Sequence, residues 1–403
     1  ITESGNDTTA TGASDDPFRS IQAGINFSSD ADSVTVAAGT YVENINFRGR
    51  NIEVVGENRE TTIIDGESAG TVVSMSACSN TTLLSGFTLK NGAGVNGGGL
   101  YLFNSETILS DLLITENSAS TNGAGIYFDS SNPSLENVII SGNSATGGGG
   151  GIYFRYYSSP GLENVLITGN SAGYGGGVYC WTSSNPSLEN VTISGNSATG
   201  EDGFGGAIYH TVNSNTTLLN SIFWNNSPQE IYFNEFPEYF AGSTTAAFCD
   251  IQGGQESIVT NDNGTVTWEE GNINANPLFC APDSSDFSLA TDSPCVGTGQ
   301  DGANMGAFGV GCNALFAAGE IIPTKFTLYQ NYPNPFNPTT TIRFDLVETW
   351  HATSLLIYDI TGRVVETLVN EQIESGQHEI QWDASQQASG IYFVELVSGE
   401  NRK

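Results

Sequence analysis

Apolar and polar residues between positions 100 and 226 follow a pattern that repeats with a nearly constant period. Each unit contains two short segments in which the pattern has a period of two. In one unit, Val138 and Ile140 enclose a single residue, and so do Ile152 and Phe154. This alternation is typical of β-strands that turn one face towards a core. Each repeating unit is therefore predicted to contain at least two strands.

Two residue types recur in step with this pattern. Each of five tyrosines follows a glycine-rich run, with equal spacing between the first four and a slightly longer step to the fifth: Tyr101, Tyr127, Tyr153, Tyr179 and Tyr209. Each of five asparagines precedes a serine, at almost the same spacing and with the same longer last step: Asn117, Asn143, Asn170, Asn196 and Asn226. Motifs that recur with a common period define one structural repeat. The pattern therefore predicts a solenoid in which each unit forms one coil.

The first half of the unit also fits a leucine-rich repeat, because Leu135, Val138, Ile140 and Asn143 match the pattern L-x-x-L-x-L-x-x-N. A leucine-rich repeat needs a helix, a 3₁₀ turn or an extended segment with its own leucines to close the coil. The second half instead reads GGGGGIYF, which is rich in glycine and poor in helix formers. Strands in both halves favour an all-β fold, a right-handed parallel β-helix.

In such a fold the coils stack about 4.8 Å apart, so residues at equivalent positions line up in columns along the axis. Because Ile152 and Phe154 are expected to face the core, Tyr153 should face outwards, and the five tyrosines should form an exposed aromatic ladder. This ladder is the candidate binding site, for sugar rings or a neighbouring protomer; stacking of the rings only on one another is the alternative. The five asparagines are predicted to form a structural ladder at a turn.

The charge of the chain narrows the range of partners. The formal net charge is −33, and between Glu60 and Glu320 the basic residues are Lys90 and Arg155. Nucleic acids are not expected to bind, because phosphate binding needs clustered lysine and arginine. Surface carboxylates offer the oxygen ligands that Ca²⁺ prefers, but no dense aspartate motif has ligand spacing, so we predict no metal site and no other cofactor. No apolar stretch is long enough to span a bilayer.

The scarcity of cations also bears on catalysis. A lyase that acts on acidic sugars needs cations to neutralise the uronate, whereas Arg155 is predicted to be a local charge partner. A hydrolase needs two carboxylates that face one cleft. A row of acidic residues does recur in successive coils, but repetition alone produces it: Asp111, Glu136, Glu163 and Glu189. His210, directly after the last tyrosine of the column, adds little. We therefore predict no catalytic residues and no enzymatic activity.

Six cysteines fit neither a zinc pattern nor a redox pair: Cys78, Cys180, Cys249, Cys280, Cys295 and Cys312. In an exported protein they can cross-link the irregular end of a solenoid, and Cys295 with Cys312 is the predicted pair. Cys180 falls on the inward phase of its strand and is predicted to be buried. The chain begins at Ile1 without a basic or apolar leader, which we interpret as a mature or trimmed product.

Two segments outside the regular repeats resemble known β-helix proteins. From Pro17, the residues PFRSIQAGINF resemble the opening of pectin-lyase-like β-helix proteins, in which a short amphipathic helix covers the first coil. The stretch NSIFWNNSPQEIYF and the residues that follow it resemble the closing section of bacterial surface β-helix proteins, which implies further coils as far as about residue 312. We therefore predict a flexible N-terminal arm at residues 1–16 and a capped β-helix at residues 17–318.

Residues 319–403 alternate apolar and polar residues between proline, glycine and asparagine turns, which predicts a small antiparallel Ig-like β-sandwich. Their motifs resemble the C-terminal sorting domain of the type IX secretion system of Bacteroidota and related phyla. These motifs are Tyr332-Pro333-Asn334-Pro335-Phe336-Asn337-Pro338, Asp359-Ile360-Thr361-Gly362-Arg363, Trp382-Asp383 and Ser389-Gly390-Ile391-Tyr392. The resemblance implies handling by the type IX secretion machinery, and a secreted, cell-surface or extracellular location.

At its C-terminus the sequence differs from the sorting domains that it resembles. Members of this family usually continue beyond the position of Lys403 into a final apolar strand. A sandwich without that strand exposes an edge that pairs readily. Either the end is trimmed, or another chain donates the strand.

Together these features predict a secreted structural or adhesive β-helix protein. Self-association into a fibre or sheath, by coil stacking and strand addition, is a specific form of this prediction. A surface polysaccharide, or a glycan of a host or neighbouring cell, is a further candidate partner. The alternative functions are a carbohydrate-active enzyme, either a polysaccharide lyase or a glycoside hydrolase, and a glycan-binding module without turnover.

Overall fold

The protein is described by a computed structural model that contains two compact units, Ile1–Leu315 and Phe316–Lys403. The described residues are 1–200, 203–235, 241–313, 326–331, 333–346, 351–373, 376–385, 387–388, 390–398 and 401–403. The domain boundary expected between residues 318 and 319 lies outside them, as do Tyr332 and Ser389 of the sorting motifs. No helix among the described residues is long and apolar enough to cross a membrane.

The first unit is a parallel β-helix, as the repeat predicts, and its coils are built from three sheets. Sheet 1 comprises Ser33–Val36, Gly39–Val42, Glu53–Gly56, Thr62–Asp65, Leu83–Lys90, Ile108–Thr115, Ser134–Glu136, Ile139–Ser141, Gly161–Glu163, Leu166–Thr168, Ser187–Glu189, Thr192–Ser194, Asn215–Leu219, Ile222–Trp224, Gly242–Ala247, Asp250–Ile251 and Gly264–Trp268. Sheet 2 comprises Ile45–Asn46, Val73–Ser76, Leu100–Phe103, Ile126–Asp129, Ile152–Arg155, Val178–Trp181, Ile208–His210 and Ile231–Phe233. Sheet 3 comprises Ala93–Asn96, Ser118–Asn122, Ser144–Ala145, Ser171–Ala172 and Ser197–Ala198.

The register of the coils follows the sequence period. In sheet 2, Ile126 pairs with Ile152 and Phe128 pairs with Phe154, so identical side chains stack in the interior, which we call the lumen. All four side chains are fully buried. Cys180, next in the same column as Phe154, is also fully buried, as its inward phase predicts. Stacking like on like allows a continuous apolar core along the axis.

A helix covers the N-terminal end of the lumen. This helix, α1, spans Ile21–Phe27 and begins at Ser20, whose side chain accepts a hydrogen bond from the backbone N–H of Ala23 at 3.2 Å. Ile21 and Ile25, one helical turn apart, are fully buried against the first coil. The first coil therefore has no free face at this end.

Residues 1–16 differ from the flexible arm expected from their composition. The terminal ammonium of Ile1 donates to the carbonyl oxygen of Thr35 at 2.7 Å, and the carbonyl of Ile1 accepts from the N–H of Ala37 at 3.0 Å. The carboxylate of Asp7 accepts hydrogen bonds from two backbone N–H groups directly before α1. The segment contains few apolar residues, but these backbone hydrogen bonds attach it to the first coil.

The C-terminal part of the first unit corrects the expectation of further coils up to residue 312. Sheet 1 ends with Gly264–Trp268, and the strands Phe279–Ala281, Asp286–Ala290 and Val310–Cys312 form a separate three-stranded sheet. Short 3₁₀ helices span Gln255–Ser257, Pro282–Ser284 and Gln300–Gly302.

This segment folds back onto the outer face of sheet 1. There Phe287, Leu289 and Met305 bury Leu166 and Ile222 in a second apolar cluster. The segment therefore covers one face of the solenoid instead of extending it.

The disulfide also differs from the expected one. Cys280 and Cys312 are bonded, at a sequence separation of 32, whereas Cys295 is a buried thiol that donates to the carboxylate of Asp250 at 3.2 Å. The expected pair, Cys295 with Cys312, was chosen from position alone. The strand pairing decides otherwise, because Phe279–Ala281 and Val310–Cys312 both flank Asp286–Ala290.

This pairing gives a first testable outcome. Digestion of the unreduced protein is expected to yield a peptide pair linked through Cys280 and Cys312, with Cys295 recovered as a free thiol after alkylation under denaturing conditions. Mass spectrometry with and without reduction measures both. Recovery of a Cys295–Cys312 pair in the native protein would show that the C-terminal segment folds differently.

The second unit consists of two small antiparallel sheets that share one core. Thr327–Leu328, Thr339–Leu346 and Gly376–Asp383 form one sheet, and Val364–Ile373, His351–Asp359, Tyr392–Ser398 and Asn401–Arg402 form the other. Phe344 and Trp382 of the first sheet pack with Leu355 and Leu396 of the second. The arrangement is the sandwich that the alternating pattern predicts.

Candidate functional site

The tyrosine column lies on the outer face of sheet 2, but it is not exposed. The rings stack on one another, with centroids 5.2 Å apart for Tyr127 and Tyr153 and 4.8 Å apart for Tyr153 and Tyr179. Tyr127, Tyr153 and Tyr209 are only 3, 5 and 7% exposed, and Tyr101 and Tyr179 are partly buried. The expectation of an exposed aromatic ladder is therefore wrong, and the alternative of mutual stacking describes the geometry.

The glycine-rich turns explain this burial. Each turn passes close beside the tyrosine column before the chain enters the strand. A Cβ atom at Gly148 would lie 2.5 Å from Cδ2 of Tyr179, and one at Gly149 would lie 2.9 Å from Cβ of Tyr153. Gly149 also has a φ of +67°. Only glycine allows this approach, so the turns that precede the tyrosines also cover them.

Burial keeps the phenols of this column in the neutral form. Loss of solvent, with a smaller opposing effect of Arg155, raises the pKa of Tyr127 to about 12. Burial and the neighbouring rings raise the pKa of Tyr153 as well. The column therefore supplies neutral hydroxyl groups and ring edges, and no base at neutral pH.

The asparagine column forms a buried ladder of hydrogen bonds. In each step, Oδ1 of one asparagine accepts from the backbone N–H and from the side-chain amide of the asparagine one coil earlier, at 2.9–3.0 Å between Asn170 and Asn143. The last member, Asn226, donates the same two groups to the carboxylate of Glu230, at 3.1 and 2.6 Å. Burial raises the pKa of Glu230 to about 7. The ladder is a structural element, because its polar atoms are satisfied internally.

A second outward column of sheet 2 carries residues of a different kind. Pairing between successive strands aligns Phe103, Asp129, Arg155 and Trp181, one residue per coil. Phe103 is 41% exposed, and Trp181 is partly exposed. This column lies two positions beyond the tyrosines and reaches solvent.

Arg155 is the centre of a compact group, here called the Arg155 cluster, formed with Asp129, Tyr156 and Trp181. Its Nη1 donates to Oδ2 of Asp129 at 3.0 Å, and Asp129 is only 6% exposed. The guanidinium carbon lies 4.3 Å from the ring centroid of Tyr156 and 5.3 Å from that of Trp181. Nε is buried and makes no hydrogen bond to any described residue. The cluster holds a planar cation between a carboxylate and two aromatic rings.

The backbone beside the cluster is in an unusual conformation. Tyr156 and Tyr157 have φ values of 45° and 58°, in the left-handed region. The equivalent positions in the next coil are Thr182 and Ser183, with φ values of 51° and 58°. The corner thus requires this conformation in both coils, but bulky residues adopt it at a higher energetic cost than small polar ones. The Tyr157 ring lies in solvent, at 68% exposed.

The other candidates from the sequence do not form a site. Glu136, Glu163 and Glu189 stack in register and are exposed, with Asp111 one position out of register, as repetition alone predicts. His210 lies in the lumen, where burial lowers its pKa to about 3. Among the residues that the structure describes, no three histidine, cysteine or acidic side chains lie close enough to hold a metal ion.

Only part of the Arg155 cluster is predicted from the sequence. Arg155 is expected to be a charge partner, and the structure supplies Asp129 as the residue it pairs with. Tyr156 and Trp181 are not among the predicted site residues. A signal was present, because Asp129, Arg155 and Trp181 follow one another at the spacing of the tyrosines and two positions after them. A column is recognised most easily when one residue type repeats, and this one changes type at each coil.

Two family matches cover most of the chain. The family described as "Right handed beta helix region" matches residues 71–280, and the family described as "Secretion system C-terminal sorting domain" matches residues 330–403. The second match places the protein among those exported by type IX secretion to the cell surface or medium. No curated protein matches the sequence at a significant level.

Two solved structures match parts of this chain at low sequence identity. Pectate lyase Pel9A is 13% identical with a TM-score of 0.50, over 77% of this chain and 96% of that one. The enzymatically active domain of tailspike protein 4 of bacteriophage CBA120 is 13% identical with a TM-score of 0.35, over 90% of this chain and 59% of that one. By the first comparison the prediction of no enzymatic activity, which rests on the scarcity of cations, is wrong, because a pectate lyase has a similar fold.

Proposed function

The chain belongs to the right-handed β-helix family and ends in a secretion sorting domain, and from this premise we propose that it binds a polysaccharide outside the cell, at the Arg155 cluster. The observation that carries the proposal is the pairing of partly exposed aromatic rings with fixed polar groups. The Tyr156 and Trp181 rings stack with centroids 5.2 Å apart and planes 30° apart. Aromatic faces of this kind pack against the apolar faces of sugar rings.

The polar atoms of the cluster supply the directional part of such a site. The guanidinium of Arg155 and the carboxylate of Asp129 hold each other at 3.0 Å, so neither needs to reorganise when a ligand arrives. Tyr156 adds a phenol within 3.4 Å of Nη2 of Arg155. Hydroxyl groups of a sugar can donate to the carboxylate and accept from the guanidinium. Export supports the proposal further, because extracellular polysaccharides are then accessible.

Cleavage of the bound polysaccharide is the second candidate function. It is favoured by the fold shared with pectate lyase Pel9A, although at 13% identity that likeness concerns the architecture alone. The cluster offers one carboxylate, one cation and the phenol of Tyr156 as groups for proton transfer. A surface-adhesive role needs only the binding step and follows from the first candidate.

Self-association remains a separate prediction. Stacking of coils between copies, head to tail, needs a free first coil, but α1 and residues 1–16 contact that coil. Strand addition at the edge of a sheet stays as the other route. Electron microscopy of concentrated protein tests it: filaments support the prediction, and dispersed particles contradict it.

Removal of the aromatic rings tests the proposed site. Tyr156→Thr and Trp181→Thr copy the residues at the equivalent positions of the next coil, Thr182 and Thr211, so the coil should tolerate them. Each change is expected to weaken polysaccharide binding about tenfold, which corresponds to ~1.4 kcal/mol. Affinity electrophoresis of the full chain in gels that contain a panel of polysaccharides measures the effect.

Phe27→Ser is the matched control, because Phe27 is an aromatic residue that is 67% exposed in α1, away from the cluster. It should leave binding unchanged. Equal weakening by all three changes, or binding that none of them affects, would place the site elsewhere. Cleavage is followed in parallel by the release of reducing ends and by the absorbance of unsaturated products.

A further inference from the structure

The charges around the proposed site bear on which polysaccharide it accepts. Between Glu60 and Glu320 the chain has two basic side chains, and each already has a carboxylate partner. Nη1 of Arg155 lies 3.0 Å from Oδ2 of Asp129, and Nζ of Lys90 lies 3.6 Å from Oδ2 of Asp65. The net charge of the whole chain is −33, so an acidic polymer that approaches the site meets a protein of the same sign of charge.

We propose that the Arg155 cluster selects an uncharged polysaccharide, built from neutral pyranose units, and rejects polyuronates such as pectate. This inference rests on the proposed function and specifies its ligand. The proposed neutral polymer differs from the pectate in the name of pectate lyase Pel9A, because the proposal follows from the charges of this chain.

The ion pair gives the first physical reason. A uronate carboxylate that binds Arg155 must share or displace Asp129, which is 6% exposed and would then be left as a buried charge without a partner. A sugar hydroxyl makes no such demand, because it can donate to Asp129 while the ion pair stays intact. The cluster therefore accepts a neutral ring at a lower cost than an anionic one.

The background charge gives the second reason. A polyuronate carries one negative charge per sugar and would approach a protein whose own net charge is −33. Salt weakens this repulsion but does not change its sign. A neutral chain is unaffected by the field and can still stack on Tyr156 and Trp181, whose rings are partly exposed.

The test compares neutral and acidic polysaccharides on the full-length protein. Galactomannan, xyloglucan and mixed-linkage glucan are the neutral probes, and polygalacturonate and alginate are the acidic ones. At least one neutral polymer is expected to bind ten or more times more tightly than either acidic polymer, with little dependence on salt. Tighter binding of an acidic polymer that weakens with salt overturns the inference and leaves the proposed function intact. Binding of neither class overturns both.

Asp129→Asn provides a sharper second measurement. The amide keeps a hydrogen-bond acceptor for Arg155 but removes the compensating charge, so the variant is expected to gain salt-sensitive affinity for polygalacturonate of about tenfold. Circular dichroism and thermal unfolding establish that the variant is folded. An Asp129→Asn protein that is folded and gains no affinity for polyuronates contradicts the role assigned to the ion pair. A neutral chain has no carboxylate beside the C5 proton, so any cleavage should release reducing ends without unsaturated products.

Discussion

Replacing Asn170 by alanine is expected to lower the free energy of unfolding of the β-helix by about 4 kcal/mol. Asn170 is 1% exposed, and its side chain makes four hydrogen bonds. Its Oδ1 accepts from the backbone N–H and the amide of Asn143, and its Nδ2 donates to Ile140 and Asn196. Without the side chain, the N–H of Asn143 and the carbonyl of Ile140 lose partners where water cannot replace them, at about 1–3 kcal/mol each. Urea unfolding of the full chain measures the change.

Asn185 offers a control with the same pair of hydrogen bonds at an exposed position. Its Oδ1 accepts from the backbone N–H of Asn215 at 3.0 Å and from the side-chain amide of Asn215 at 2.8 Å, although here the later coil donates to the earlier one. Water can replace these bonds, so Asn185→Ala should cost less than about 1 kcal/mol. If the two variants lose equal stability, burial of the asparagine ladder is not what stabilises the coils.

The end of the ladder shows why asparagine fills its interior. An asparagine both accepts and donates, so each member links two neighbours. Glu230 accepts both hydrogen bonds from Asn226, and it lies at the end of the ladder, where a further acceptor suffices. A carboxylate in the middle of the ladder would face the Oδ1 of the next asparagine. The period of the sequence predicts the asparagine column, but Glu230 lies outside the repeat and is not predicted by it.

The coil register was predictable because stacking constrains it. Each coil pairs with the next along whole strands, so a shift of one residue would turn core side chains outwards. Ile126, Ile152 and Val178 consequently occupy equivalent positions in both the sequence period and the structure. Burial inside the lumen followed from the alternation of apolar and polar residues, with no further information.

Exposure on the outer faces was less predictable, because strand alternation indicates only on which face of the sheet a side chain lies. Tyr153 lies on the outer face, as expected, yet its neighbours and the adjacent glycine turn bury it. The C-terminal segment has the same effect on sheet 1, where it covers Leu166 and Ile222. Both cases depend on chain segments that do not share the period, so the repeat carries no signal of them. The pairing of Cys280 with Cys312 arises in the same non-repeating segment.

The prediction of no enzymatic activity is wrong for a related reason. It rests on a count of cations and carboxylates along the sequence, which describes the average surface. A site depends on the few residues that one corner brings together, here Asp129, Arg155 and Trp181. The count nevertheless retains a use, because it constrains the charge of the ligand that such a site accepts.

His210→Phe is expected to stabilise the β-helix by about 3 kcal/mol at pH 4, relative to the wild type, with a much smaller effect at pH 7. His210 is 1% exposed in the lumen, and its ring stacks on Phe233 with centroids 4.6 Å apart. Its Nε2 lies 3.3 and 3.2 Å from the hydroxyls of Thr216 and Thr244, and its Nδ1 has no partner among the described residues. No charged side chain is among these contacts, so burial alone disfavours the imidazolium.

The sign of this pH dependence follows from the pKa of His210 in the folded and in the unfolded chain. Burial lowers the pKa of His210 from 6.5 to about 3 in the folded chain. Below pH 6.5 the unfolded chain binds a proton that the folded chain does not, so stability is complete above pH 6.5 and falls progressively towards pH 3. Phenylalanine has no site for this proton, so the variant does not lose this stability as the pH falls. Its ring also suits the column, in which Phe154 and Phe233 occupy equivalent positions of other coils.

Comparison of variants isolates this effect from other titrating groups. Glu230, whose pKa is raised to about 7, acts with the opposite sign as the pH rises from 4.5, but it is present in wild type and variant alike and cancels in their difference. Thr244→Val serves as the control, because it removes a hydrogen bond to His210 and keeps the titrating ring. Urea unfolding across this pH range should give a wild-type minus Thr244→Val difference that is nearly constant. The free energy of unfolding of the wild type minus that of His210→Phe should become more negative as the pH falls. If this difference does not change with pH, His210 is protonated in the folded lumen.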